Sequence, residues 1–203
     1  NSTIHPNLLN IWPLVGNFDV QVEIPYTNIK VPGMTGTGSL DNYIGLAIAG
    51  DNIWSDVSYG VLNNGQPEGH RRWFAAFNER DPGNNAPGWW QFEEDLHDYA
   101  EAQTSATKGD LRIKRVGSTI STYYKDETVC DWVLLSSYNS GTEPVRAMLY
   151  TGIREVPFEG RFDNFRVTLL PADYGKTDSV ESLINSGEAA LESHNISEAN
   201  QYF

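Results

Sequence analysis

Cysteine is nearly absent from this chain: among 203 residues there is one, Cys130, so no internal disulfide can form. Its neighbours Val129 and Trp132 suggest a small apolar filler in a strand, and with no second thiol available neither a redox pair nor a thiolate metal site is expected. Basic residues are scarce too. Lys and Arg number 14 against 27 Asp and Glu, a formal net charge of -13, which argues against nucleic acid and anionic lipid surfaces, since both need clustered cations to neutralise phosphates. The basic clusters "HRRWF" and "LRIKR" are too small against that background to change this. No apolar run approaches the roughly 18 residues of a membrane span, so none is expected. The opening Asn1-Ser2-Thr3 has neither a basic nor an apolar leader region, and any export signal is expected to have been removed or to lie outside the chain. His5, His70, His97 and His194 are dispersed without a His-Glu-x-x-His or Cys/His pairing, so zinc is not expected. Nucleophile-elbow, Walker and dinucleotide motifs are missing as well.

What is present is a strand-rich chain. Aromatic residues make up 12% and Gly, Asn and Asp are plentiful, a mix that suits an exported β-sandwich better than a cytosolic α/β enzyme. A sandwich of about 170 residues buries roughly 70% of its unfolded surface and needs no disulfide to hold it. Strand-like runs recur at Phe18 to Ile24, Tyr43 to Ala49, Val57 to Leu62, Arg72 to Phe77, Trp89 to Phe92, Val129 to Ser136, Val145 to Thr151 and Phe162 to Leu170. In "FDVQVEI" Phe18, Val20, Val22 and Ile24 face one way and Asp19, Gln21 and Glu23 the other; the last run repeats this with Phe165, Val167 and Leu169 inward. "LRIKRVGSTISTYYKD", Leu111 to Asp126, reads as a hairpin turning at Gly117-Ser118, where glycine can take the positive φ of a tight reversal. It is scaffold first, with an outward Tyr or Arg expected to line a concave face. "VPGMTGTGSLDN" and "ERDPGNNAPG" read as long connections at the sandwich ends. "FEEDLHDYAEAQTSATKGD" fits either a strand with a solvated loop or a short helix.

After Pro171 the composition changes. "YGKTDSV" reads as a linker, and the stretch to Phe203 is rich in Glu, Ala and Leu at helical spacing, with an N-cap at Asp178 or Ser179. Residues 1–172 therefore form the sandwich and 173–203 a linker with a helical tail.

Several residue sets invite a function. Trp73, Trp89, Trp90, Tyr99 and Tyr124 offer flat surfaces on which the apolar faces of sugar rings can stack, with core packing as the competing use of the same rings. Glu93-Glu94-Asp95 with His97 and Asp98 are the acidic candidates for glycoside hydrolysis, which needs two flanking carboxylates; a solvated acidic face explains them equally. Asp163 and Asn164 in "GRFDNFRV" suit a structural calcium, with Asp41, Asp51, Asp56 and Asp81 as further oxygen donors, although no Asp-x-Asp-x-Asp-Gly loop occurs. Asn1 and Asn195 head Asn-x-Ser/Thr sequons and are glycosylation candidates.

"LVGNFDVQVEI", "YIGLAIAG", "LRIKRVGSTISTYYKD", "WVLLSS" and "GRFDNFRV" together resemble the concanavalin A-like, laminin G-like domains of jelly-roll type found in exported bacterial proteins. The resemblance spans Leu8 to Leu170 and implies an all-β, two-sheet antiparallel sandwich. In such domains a ribbon with a Gly turn presents a Tyr, and an Asp-Asn pair sits in the final strand. Glucanases of that superfamily set their acids as Glu-x-Asp-x-x-Glu or Glu-x-Asp-x-Glu, and neither spacing occurs here, so no catalytic residue is assigned. The tail resembles part of a tetratricopeptide repeat: Leu183, Ser186-Gly187, Ala190, Ala199 and Phe203 stand at its pattern positions, with Ser186 and Ala190 departing from it.

Taken together, the sequence implies a non-catalytic extracellular or cell-envelope module that binds a glycan or a cell-surface component. Two other readings stand beside it. One is a structural subunit of a surface assembly, with self-association or a protein partner engaging residues 178–203; the other is a divergent glycoside hydrolase.

Overall fold

A computed structural model describes residues 7–9, 13–28, 37–64, 70–79, 96–153, 159–172 and 174. The chain divides into two units, residues 1–172 and 173–203. The expected helical tail, its repeat-like residues and the sequon at Asn195 lie outside the described residues, as do Asn1, Asp81, the connection after Glu79 and the expected strand Trp89 to Phe92.

The described part is all-β, with eleven strands: β1 (Asn7–Leu9), β2 (Phe18–Asn28), β3 (Thr37–Ala49), β4 (Ile53–Asn64), β5 (His70–Glu79), β6 (Leu96–Gln103), β7 (Gly109–Val116), β8 (Thr119–Asp126), β9 (Val133–Asn139), β10 (Arg146–Ile153) and β11 (Glu159–Leu169). They form two antiparallel sheets, a six-stranded one in the order β1-β10-β3-β4-β5-β6 and a five-stranded one in the order β11-β2-β7-β8-β9. The sheets face each other, with β3 and β4 over β7, β4 over β8, and β5 and β6 over β9.

Strict alternation builds the core between them. Phe18, Val20, Val22 and Ile24 of β2 point in against Ile44, Leu46 and Ile48 of β3, all essentially without exposure, and each such side chain contributes roughly 1.5–3 kcal/mol when removed from water. The β7–β8 hairpin turns at Gly117, whose φ is +60°, while Ser118 stays out of the left-handed region; this is the pattern of a type II′ turn. One inward position of β7 is not apolar. Arg115 is fully buried, donating to the carbonyls of Gly16, Leu14 and Glu143 and lying 4.6 Å above the Phe18 ring. Burial pulls its guanidinium below the ordinary value, and the nearby Glu143 works in the opposite direction.

Several expectations are corrected. Cys130 is exposed in the turn between β8 and β9, not packed in a strand, because Asp126 closes that turn by accepting from the backbone N–H of Thr128 and Val129. The strand there starts at Val133 rather than Val129. Thr37 to Asn42 extend β3 instead of forming a loop, and the acidic stretch is a strand from Leu96 to Gln103 followed by a loop. In β11 only Val167 of the three expected inward residues packs on the core; Phe165 and Leu169 are exposed. β11 is an edge strand, and its register against β2 shifts twice between Arg161 and Arg166. Such bulges bend an edge strand away from regular pairing.

Candidate functional site

The outer face of the six-stranded sheet is the unusual surface of this molecule. In β4, Ile53, Ser55, Val57 and Tyr59 point into the sandwich, so Trp54, Asp56, Ser58 and Gly60 point away from it. On β3 the inward residues are large and the outward ones are Tyr43, Gly45, Ala47 and Ala49. That small stripe lets rings from neighbouring strands lie across the backbone. A Cβ on Gly45 would overlap Ser58 Oγ and the Tyr150 ring, and one on Gly152 would overlap the Tyr43 ring. Tyr150 thus reaches from β10 across β3 to β4, with Tyr43 at 5.6 Å and Trp54 at 5.8 Å, both edge-on.

Asp56 lies under this aromatic cover, 4% exposed. Its Oδ1 accepts from Trp54 Nε1 at 3.1 Å and its Oδ2 from Ser58 Oγ at 3.0 Å and from Tyr150 Oη; Ser58 and Tyr150 are also bonded to each other. Burial raises the carboxyl from 3.8 to about 6, with the bonds from Tyr150, Ser58 and Trp54 pulling the other way. The Tyr150 hydroxyl is driven well above its ordinary value by burial and then by the Asp56 charge.

Along the row from Asp56 the register runs to Ala76 on β5 and Tyr99 on β6. Adjacent strands are about 4.8 Å apart, so Asp56 and Tyr99 flank a low point whose floor is the Ala76 methyl. Tyr99 stacks on Phe74 at 6.5 Å, donates to Glu101 at 3.1 Å and is 42% exposed. Burial, and then Glu101, push its hydroxyl up to about 12. Glu101 forms an ion pair with Arg72, whose Nε is buried without a hydrogen-bond partner. Part-exposed rings of Tyr43, Trp54 and Tyr99 therefore stand on the same face as a fixed guanidinium–carboxylate pair. Such a face can stack on an apolar ring and hydrogen-bond its substituents.

Of the sequence candidates, Tyr99 lies on this face. Trp73 and Tyr124 do not: Trp73 has no exposure, donates from Nε1 to Asp126 at 2.6 Å, and stacks on Tyr124 at 5.5 Å inside the sandwich. Their rings are committed to the core. Trp89, Trp90 and Glu93 to Asp95 lie outside the described residues; His97 and Asp98 belong to β6, and their side chains are not described. The hairpin's outward Arg112 and Tyr123 face away from the six-stranded sheet, with Arg112 paired to Asp19 and lying 5.6 Å from the Tyr123 ring and 5.4 Å from that of Trp132.

Asp163 and Asn164 are exposed on β11, where Asn164 has φ 50°, donates from its backbone N–H to Asp163 Oδ1 and from its Nδ2 to Glu23 at 2.5 Å. These contacts shape the bulge. Among the described residues no group of three or more His, Cys, Asp or Glu could hold a metal ion. Sequence reasoning missed Tyr43, Trp54 and Tyr150 as members of the aromatic face. A signal was there: the run Gly45, Ala47, Ala49 alternating with Ile44, Leu46, Ile48 marks a sheet face stripped of side-chain bulk.

No protein-family model matches the chain, and no curated protein matches it in sequence. Solved structures do match in shape. A functionally unknown protein from Saccharomyces cerevisiae aligns at TM-score 0.54 and 12% identity over 79% of this chain and 73% of its own. The legume lectin-like domain from Entamoeba histolytica aligns at TM-score 0.54 and 9% identity over 84% and 81%. The exoplasmic/lumenal domain of VIP36, in its Ca2+/Man2-bound form, aligns at TM-score 0.50 and 8% identity over 84% and 73%. The chain shares with these solved structures the fold of a two-sheet antiparallel sandwich.

Proposed function

We propose that the chain is a non-catalytic carbohydrate-binding module working in a secretory or extracellular compartment. The observation that carries this reading is the set of part-exposed rings, Tyr43, Trp54 and Tyr99, on one sheet face beside the fixed Arg72–Glu101 pair. Sugar rings have apolar faces that stack on aromatic surfaces and hydroxyls that take hydrogen bonds from such a pair. The shared fold with lectin-like domains supports it, and the Man2-bound state of VIP36 makes mannose-containing glycans the first class to test. Binding rather than hydrolysis fits the carboxylates of this face. Asp56 is buried under three donors, and Glu101 is engaged by Arg72 and Tyr99, so neither stands open beside a scissile bond.

The test is a glycan array with the full chain at pH 7.4, run with calcium and again with a chelator. Saturable binding is expected, weakened at least tenfold by Trp54→Ala or Tyr99→Ala, which corresponds to about 1.4 kcal/mol. Silence from the folded wild-type chain, or undiminished binding by both variants, would remove the reading. Sensitivity to the chelator would assign calcium a role in the same experiment.

A further inference from the structure

We propose that Asp56 is a proton-controlled clamp on Trp54: the ionised carboxylate holds the indole against the outer face of the six-stranded sheet, and protonation in mild acid releases it. The consequence for ligand, a lower glycan affinity in acid, rests on the function proposed above. The clamp itself is a property of the chain alone.

Three donors converge on this carboxylate, Trp54 and Ser58 from its own strand and Tyr150 from β10. None of the ion pairs among the described residues reaches it. As an anion it accepts from all three. On protonation Oδ2, which faces two hydroxyls, becomes a donor to one of them, and that hydroxyl turns its own proton to the other. Oδ1 then loses the charge that strengthens the indole N–H bond. Trp54 borders solvent while Ser58 and Tyr150 are buried, so the indole is the part that responds. A buried carboxylate with no cation beside it opposes folding at neutral pH, and groups held at such a disadvantage cluster at functional surfaces.

The titratable and charged groups on this face are Arg146 and Tyr150 on β10, with Arg146 in the row of Ala49 and Trp54, Tyr43 on β3, Arg72 on β5, and Tyr99 and Glu101 on β6. The Tyr99 and Tyr150 hydroxyls are raised, in both cases first by burial, and neither ionises in mild acid. Asp56, raised to about 6, changes charge in that window. Histidine does so too, and His70 and His97 lie on β5 and β6, so the experiment must separate them from Asp56.

The experiment follows the indole N–H resonance of Trp54 in the 15N-labelled full chain from pH 7.5 to 4.5, with the signal assigned by Trp54→Phe. One transition is expected near pH 6. It should vanish in Asp56→Asn and move to higher pH in Tyr150→Phe, which deletes a donor to the anion. A resonance that stays still, or that moves alike in Asp56→Asn, overturns the clamp. Should Asp56→Asn fail to fold, an unmoved midpoint in Tyr150→Phe overturns it equally. Repeating the glycan array at pH 5.0 keeps the two ideas apart: a titrating Trp54 beside an array silent at both pH values supports the clamp and removes the ligand reading.

Discussion

Asp56 and Asp126 are both buried carboxylates, yet they respond to pH with opposite sign. Asp126 accepts from Trp73 Nε1, Thr104 Oγ1 and the Thr128 backbone and hydroxyl. Burial alone would raise it, but these bonds outweigh burial and its carboxyl is lowered. Its stabilising contribution is present above the unfolded value and is lost as pH falls through the folded one. Asp56 is raised to about 6, so its contribution is complete below pH 3.8 and lost as pH rises through about 6. In urea unfolding at pH 7, Asp126→Ala is expected to lose about 2–4 kcal/mol, because Trp73 and two threonines are left without their acceptor. For Asp56→Asn the stability difference from wild type should shift by roughly 3 kcal/mol in favour of the variant between pH 4 and 7.5. A difference independent of pH would contradict the buried anion.

Among the elements, β3 is the one whose two faces decide most. Its inward Ile44, Leu46 and Ile48 anchor the core, while its outward Gly45 gives Tyr150 its path to Asp56. Gly45→Ala is expected to lower stability by about 1–3 kcal/mol through overpacking, and to displace the Tyr150 ring from its edge contact with Trp54. Thermal melting reads the first effect; a change in the Trp54 indole resonance, which senses a ring 5.8 Å away, reads the second. A variant that melts like wild type would mean that Tyr150 has room to spare. At β11 the sequence pattern misleads for a plain reason. Phe165 and Leu169 follow the alternation of an inward face, but at the edge of a sheet an inward direction does not guarantee burial, and both remain exposed.

For the whole molecule, topology sets the folding rate. β1 pairs with β10, and β2 with β11, so both sheets close by joining segments from opposite ends of the sandwich. Chain-closure entropy must be met before these pairings are rewarded, and all-β proteins of such topology fold in milliseconds to seconds. Stopped-flow refolding is expected to be at least that slow, and a microsecond phase accounting for all of the native signal would be inconsistent with this pairing.

The sequence by itself determined the all-β class of the described residues, the hairpin at Gly117 and the inward face of β2. These are local properties: side-chain alternation and turn chemistry act over a few residues and survive without knowledge of partners. The site was only partly legible. Tyr99 could be named as an available aromatic, but so could Trp73, and nothing in their sequence neighbourhoods separates a ring with 42% exposure from one with none. That separation depends on which strand lies opposite. Trp73 points across the sandwich to Asp126 on β8, whereas Tyr99 points outward from an edge strand of the six-stranded sheet. Likewise Asp56 read as one of several scattered acidic residues until strand order brought Tyr150, 94 positions away, across Gly45 to its carboxylate. Tertiary structure alone decided that contact, because register between β10, β3 and β4 is fixed by packing of the whole sheet and not by any one segment.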